Sequence, residues 1–95
     1  MSDVADISVL VVAYKSRATI SACMQALEAQ SRMPREVLVL ENGSPAGEQI
    51  GPEDVPLGVQ LIRQTENLGF AGGNNLLAKS ASSRWLVFLN PDAFP

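Results

Sequence analysis

Apolar positions along this chain follow two rhythms. The run Ile7-Ser8-Val9-Leu10-Val11-Val12-Ala13 is short, rich in β-branched residues and apolar on both faces, which predicts a central strand covered by helices on each side. Beyond it Ile20, Met24 and Leu27 recur at i, i+4 and i+7, with Gln25 and Glu28 left for the wet face. That spacing predicts a helix, capped by Ser16 or Thr19 and running to about Gln30. Met33-Pro34 ends it, and Glu36-Val37-Leu38-Val39-Leu40-Glu41 is a second apolar strand, closing at the turn-forming cluster Asn42-Gly43-Ser44-Pro45.

From Ala46 to Pro56 the chain carries Gly47, Gly51, Pro52 and Pro56 among acids and keeps no period, which predicts a loop with at most one helical turn near Glu48. Val59-Gln60-Leu61-Ile62-Arg63-Gln64 resumes a strand, and its stronger alternation places it nearer an edge. Asn67-Leu68-Gly69 turns the chain into a second helix, Phe70 to Ser80, with Phe70, Leu76 or Leu77, and Ala81 toward the sheet. Gly72-Gly73 costs that helix about 1 kcal/mol each relative to Ala, which implies a local reason for both. Trp85 to Leu89 is a fourth strand. The order β-α-β-loop-β-α-β predicts an α/β fold: a Rossmann-like, mostly parallel sheet with flanking helices, whose ligands bind outside the carboxyl ends of the strands.

Composition narrows the chemistry. At 95 residues and 46% hydrophobic content the chain has room for one small globular domain at most. Seven basic against ten acidic residues give a net charge of −3, with no clustered footprint for a nucleic-acid backbone. The longest apolar stretch, Ile7 to Ala13, is too short for a bilayer, and residues 1–6 carry two acids and no base, so neither a signal peptide nor an anchor is expected. Cys23 is the only cysteine and lies in the apolar helical pattern, which suits packing; with no disulfide to form, a cytoplasmic location is expected, the inner face of the membrane included. The chain has no histidine, which removes Cys-His pairs, Ser-His-Asp triads and the usual zinc sites. Carboxylates, amides and hydroxyls remain.

These groups collect where strands end: Ala13-Tyr14-Lys15-Ser16 after the first, Glu41-Asn42-Gly43-Ser44 after the second, and Asn90-Pro91-Asp92 after the fourth. A ring can pack on a base, one carboxylate can accept from a base N–H, and another can hold Mg²⁺ or Mn²⁺ against a diphosphate. The same residues also have plainer roles, with Tyr14 as a rim aromatic, Asn42-Gly43 as a turn with positive φ and Pro91-Asp92 as a capping turn. The glycine-rich segment is neither a P-loop, since no Gly-Lys-Ser/Thr comes after it, nor the dinucleotide fingerprint, since Gly69-x-x-Gly72-Gly73 lacks the Gly-x-Gly start and comes after the third strand. Asn74 and Asn75 suit contacts to ribose or phosphate oxygens as well as they suit helix capping and packing.

Taken in order, Tyr14-Lys15-Ser16, Val37 to Ser44, the segment Glu66-Asn67-Leu68-Gly69-Phe70-Ala71-Gly72-Gly73-Asn74-Asn75 and the segment Phe88-Leu89-Asn90-Pro91-Asp92 resemble the family 2 glycosyltransferases of the GT-A fold, in particular their rhamnosyltransferase-like branch. The likeness runs from Ile7 to Pro95, and its specific part is Asn-Leu-Gly-Phe-Ala-Gly-Gly-Asn-Asn coupled to Leu-Asn-Pro-Asp.

The resemblance implies a nucleoside-diphosphate sugar as partner and Mg²⁺ or Mn²⁺ as cofactor. Ala13 and Tyr14 would border the nucleobase and Glu41 would hydrogen-bond it, although most members carry the shorter aspartate there; Asn42, Gly43, Asn75 and Asn90 complete the expected nucleotide contacts. Asn90-Pro91-Asp92 stands in the place of the Asp-x-Asp metal motif and keeps only its last carboxylate, Asp92. Implied chemistry is inverting transfer of a sugar, with a thymidine diphosphate sugar such as dTDP-rhamnose favoured, to a glycan or other hydroxyl. In this family the base lies downstream of the metal motif, so no catalytic residue is expected within the chain, which reads as the donor-binding part of a larger enzyme. Self-association through an exposed fourth-strand edge is the further expectation. A sugar nucleotidyltransferase and a non-catalytic α/β interaction or nucleotide-binding module are the alternatives; the first would need a Gly-rich basic loop directly after the first strand, which Ala13-Tyr14-Lys15-Ser16 does not resemble.

Overall fold

The computed structural model describes residues 4–30 and 33–91. Four parallel strands, β1 (Val4–Ala13), β2 (Met33–Asn42), β3 (Gln60–Gln64) and β4 (Trp85–Leu89), lie in the order β3-β2-β1-β4. Helix α1 (Ile20–Glu28) joins β1 to β2, and α2 (Gly69–Ser80) carries the chain from the β3 edge to the β4 edge. The predicted α/β architecture and element order hold.

Because successive residues of β1 point to opposite faces, its apolar run feeds two cores at once. Val9, Val11 and Ala13 pack with Val39, with Ile20, Cys23, Met24 and Leu27 of α1, and with Ile50 from the β2–β3 connection. Leu10 and Val12 pack with Leu38, Leu40 and Leu77 on the other side. The expectation of a strand covered on both faces therefore holds for β1.

Several details differ from the expectations drawn on the sequence. Pro34, expected to end a helix, lies inside β2, opposite Ala5. Strand β3 reaches back only to Leu38, so at Pro34 the strand has a neighbour on one side, the edge setting in which proline's missing N–H is tolerated. The helical turn expected near Glu48 lies instead at Pro52–Asp54, where the Gly51 N–H donates to the Asp54 carboxylate at 2.8 Å; Glu48 closes a turn on Pro45 O. Neither Ser16 nor Thr19 caps α1 through a side-chain bond to a helical N–H. Ser16 O instead receives the N–H groups of Thr19 and Ile20, at 3.0 and 2.9 Å.

Helix α2 turns its predicted face to the sheet at Leu77, with Leu76 and Ala81 packed alongside, and departs from the expectation at Phe70. Gly73, Asn74 and Leu77 are buried and Leu76 and Ala81 are partly so, whereas Phe70 is 61% exposed. Gly73 sets how closely the helix packs: a Cβ there would lie 2.9 Å from Val12 Cγ1 and 3.2 Å from Leu40 Cδ2. A bare backbone at that point lets α2 sit directly on β1 and β2. Phe70 shares the stripe of Leu77 but lies in the first turn of α2, where it borders a cleft at the strand ends instead of the core.

At the opposite end of the sheet two carboxylates hold the α2–β4 connection. Glu36 Oε2 accepts from Ser8 Oγ and from Ser82 N, both at 2.6 Å, and Asp6 Oδ1 accepts from Arg84 N at 3.2 Å while pairing with Arg35. The Ser8 hydroxyl and then the Ser82 N–H hold the Glu36 carboxyl below its ordinary 4.5. On β4 itself Trp85, Leu86, Val87 and Phe88 are exposed, with Trp85 at 63%. Among the described residues no helix is long and apolar enough to cross a membrane.

Candidate functional site

Three segments meet beyond the carboxyl ends of the strands, each held by a named set of bonds. The first is the turn after β1. Lys15 takes a left-handed backbone, φ 52°, and Ser16 Oγ accepts from Tyr14 N at 3.1 Å and donates to Tyr14 O at 3.2 Å. This tight turn leaves the Tyr14 ring 40% exposed, with Lys15 Nζ 5.5 Å from its centroid.

The second is the end of β2. Asn42 is buried and spends its whole amide on the β3–α2 turn: Nδ2 donates to Asn67 Oδ1 at 3.2 Å and Gly69 O at 3.1 Å, and Oδ1 accepts from Leu68 N at 3.0 Å. Asn67 Oδ1 also accepts from Gly69 N at 2.8 Å. Gly43 comes next with φ +71°, and a Cβ on it would lie 2.5 Å from Asn67 N and 2.6 Å from Glu66 C, so the two turns touch backbone to backbone. Gly69, at φ +75°, then starts α2 and sets Phe70 at the strand ends.

The third is the loop after Gly43, which is organised by Glu41. Its buried carboxylate accepts from Ser44 N at 2.8 Å and from Ile50 N at 3.0 Å, one bond to each oxygen. Ser44 Oγ in turn accepts from Lys15 N at 2.9 Å, and Arg17 Nη1 donates to Gly47 O at 3.0 Å, so the loop is tied to the Tyr14 turn.

Between these segments lies a cleft of about 260 Å³ bordered by Val12, Tyr14, Phe70, Asn67, Asn90 and Pro91, with Ser16, Asn42 and Gly69 completing its wall. It sits where β1 and β4 diverge in connectivity, the switch point at which open α/β sheets take ligands. Two aromatic rings, aliphatic surface and the amides of Asn67 and Asn90 suit a flat ring with a polar edge.

Of the residues singled out from the sequence, Tyr14, Asn42 and Asn90 line this cleft. Ala13 is in the α1-side core, Glu41 faces the 44–50 loop, Gly43 lies against the β3–α2 turn, and Asn75 is exposed on α2 away from the lining. Periodicity places Phe70 toward the sheet, and the sequence marks Asn67 only as a turn residue and as the start of the segment Asn67 to Asn75.

Asp92, the expected metal ligand, lies outside the described residues. Among the described residues the cleft offers amides, a hydroxyl and a phenol and no carboxylate, and no three His, Cys, Asp or Glu side chains gather to hold a metal. That donor set alone does not fit Mg²⁺ or Mn²⁺, hard cations that favour carboxylate and phosphate oxygens.

A parallel sheet with helices on both faces and an aromatic, amide-lined cleft at its switch point define an α/β domain of the doubly covered, open-sheet class. The chain belongs to glycosyl transferase family 2: the profile described as "Glycosyl transferase family 2" matches residues 8–95. An uncharacterized glycosyltransferase of Haemophilus influenzae (strain ATCC 51907 / DSM 11121 / KW20 / Rd) is 27% identical over 86 residues, which are 90% of this chain and 29% of that protein. The crystal structure of S. aureus TarS superposes with a TM-score of 0.72 at 21% identity, covering 99% of this chain and 17% of that one. At that identity the second likeness concerns fold, and it places the present sheet within a GT-A-like domain. The chain thus spans less than a third of either relative.

Proposed function

We propose that these residues form the nucleotide-sugar-binding part of an inverting glycosyltransferase that moves a hexosyl unit from a nucleoside-diphosphate sugar to a hydroxyl acceptor. The observation that carries the reading is the cleft itself, in a chain of a glycosyltransferase family: Tyr14 and Phe70 offer ring faces to a base, and Asn90 offers an amide at the end of β4. Asn42 serves by fixing Asn67 and Gly69, and with them Phe70. In an inverting transfer the acceptor oxygen forms a bond to the anomeric carbon as the bond to the diphosphate oxygen breaks on the opposite face. The diphosphate leaves with the electron pair and the acceptor proton passes to a base.

Asp92, which comes directly after Pro91 of the cleft, is the residue we assign to a divalent cation, with diphosphate oxygens as further ligands. Such a cation, when bound, neutralises charge on the leaving diphosphate. The rhamnosyltransferase-like motifs, Asn67 to Asn75 and Leu89 to Asp92, favour a thymidine diphosphate sugar as donor.

Calorimetric titration with thymidine and uridine diphosphates, with and without Mg²⁺, tests the reading. Binding that needs Mg²⁺ and is lost in Asp92→Ala is expected. Absence of binding to either nucleotide, or binding indifferent to both Mg²⁺ and Asp92, would overturn it.

A further inference from the structure

We infer that Glu41 is a positioning residue for the Tyr14 wall of the cleft, acting through Ser44 and the 44–50 loop, and that it does not read the base. The inference rests on the donor-binding reading above and concerns which groups of the site discriminate between nucleotides. Its ground is how the carboxylate is used. Glu41 is 2% exposed, one oxygen accepts from Ser44 N at 2.8 Å and the other from Ile50 N at 3.0 Å. It does not border the cleft. A carboxylate that gave up either bond to meet a base would leave a buried N–H without an acceptor, at a cost comparable to what the new bond supplies.

The coupling route is continuous. Glu41 fixes Ser44; Ser44 Oγ accepts from Lys15 N; Lys15 holds a left-handed backbone between Tyr14 and Ser16, and Ser16 Oγ closes on both backbone atoms of Tyr14. Arg17 Nη1 ties the same turn to Gly47 O, the far side of the loop. Glutamate's length is what lets one side chain span the amides of Ser44 and Ile50, positions three and nine residues ahead of it. A shorter aspartate would reach fewer of these groups. Discrimination between bases is then left to groups on the cleft wall, Asn67 and Asn90 among them.

Two variants separate the roles. In Glu41→Gln the amide keeps one acceptor, and its NH₂ opposes a backbone N–H, so half of the latch is lost. Ser44→Ala leaves the latch and cuts only the bond to Lys15. Affinities for uridine, thymidine and guanosine diphosphates are measured by calorimetry at low temperature, alongside ¹H–¹⁵N spectra of the Tyr14 to Ser16 amides. Both variants are expected to weaken every nucleotide by the same factor, about tenfold, and to shift the Tyr14, Lys15 and Ser16 amides. Loss of affinity for one base alone in Glu41→Gln, with those amides unmoved, would make Glu41 a base contact and overturn the inference. Lowered stability with unchanged affinities and unmoved amides would overturn it too, leaving a purely structural carboxylate. Should the unaltered chain bind none of the three nucleotides, the donor-binding reading fails on its own account; shifted Tyr14 to Ser16 amides would still support the positioning role, and unshifted ones would overturn it.

Discussion

Replacing Asn42 by aspartate changes one NH₂ group for an oxygen and almost no volume, yet the structure predicts a large loss of stability. The native amide makes three bonds to the β3–α2 turn, two as donor through Nδ2 and one as acceptor through Oδ1. In Asn42→Asp the acceptor bond from Leu68 N survives, while the second oxygen faces Asn67 Oδ1 and Gly69 O, both acceptors. Two donor bonds, worth about 1 kcal/mol each, disappear, and opposed acceptors beside a buried charge add roughly 1 to 2 kcal/mol more. The sum, about 3 to 4 kcal/mol, is a large part of the roughly 5 to 10 kcal/mol that holds a domain of this size. Asn42→Ala loses all three bonds and some packing, about 3 kcal/mol, but opposes nothing. Aspartate should therefore be at least as damaging as alanine. Urea unfolding at pH 7 measures both, and the aspartate variant should recover in part on acidification, because a protonated carboxyl regains one donor. An aspartate variant within 0.5 kcal/mol of the unaltered chain, about the scatter of surface substitutions, would show that the Asn42 amide does not hold the turn as described.

Other contacts carry expectations of their own. Gly73→Ala gains helix propensity of about 1 kcal/mol but drives its methyl against Val12 and Leu40, so it should destabilise by about 1 to 2 kcal/mol net, while Gly72→Ala, which meets only Leu68 Cβ at 3.1 Å, should be near neutral; paired melting curves decide. Gly43→Ala combines φ +71° with a clash against the Asn67 and Glu66 backbone, and should cost more than about 3 kcal/mol and blur the amide signals of the β3–α2 turn. Glu36 is ionised more readily in the fold than outside it, so its contribution is complete above pH 4.5 and is lost as pH falls below that value. Glu36→Gln should therefore be less stable than the unaltered chain at pH 7, with the gap narrowing toward pH 3 in denaturant titrations. Phe70→Ala, which removes a ring that is 61% exposed, should leave stability within about 1 kcal/mol and weaken nucleoside-diphosphate binding.

The elements were legible because β1 and β2 are apolar on both faces and α1 keeps its i, i+4, i+7 stripe; the fourth strand falls on its expected residues, Trp85 to Leu89. Pro34 misled because its compatibility with β2 depends on where β3 begins, a fact of tertiary register and not of local sequence. Phe70 misled for a similar reason: it keeps the stripe of Leu77, but α2 begins beyond the strand ends, so its first turn meets the cleft and not the core, a matter of tertiary placement. Within the site, Tyr14 and Asn90 could be placed because each comes directly after an apolar run, and Asn42 because only Glu41 separates it from another. The assignment of Glu41 to the 44–50 loop could not be read from sequence, since its partners are backbone amides that any residue types would supply.

The most direct test of a donor-binding cleft is a ¹H–¹⁵N spectrum of the chain titrated with thymidine diphosphate in Mg²⁺. Saturable shifts concentrated at Tyr14, Asn42, Asn67, Phe70 and Asn90 are predicted, and they should vanish in Asp92→Ala. A spectrum unmoved by nucleotide, or shifts confined to the exposed face of β4, would contradict the account.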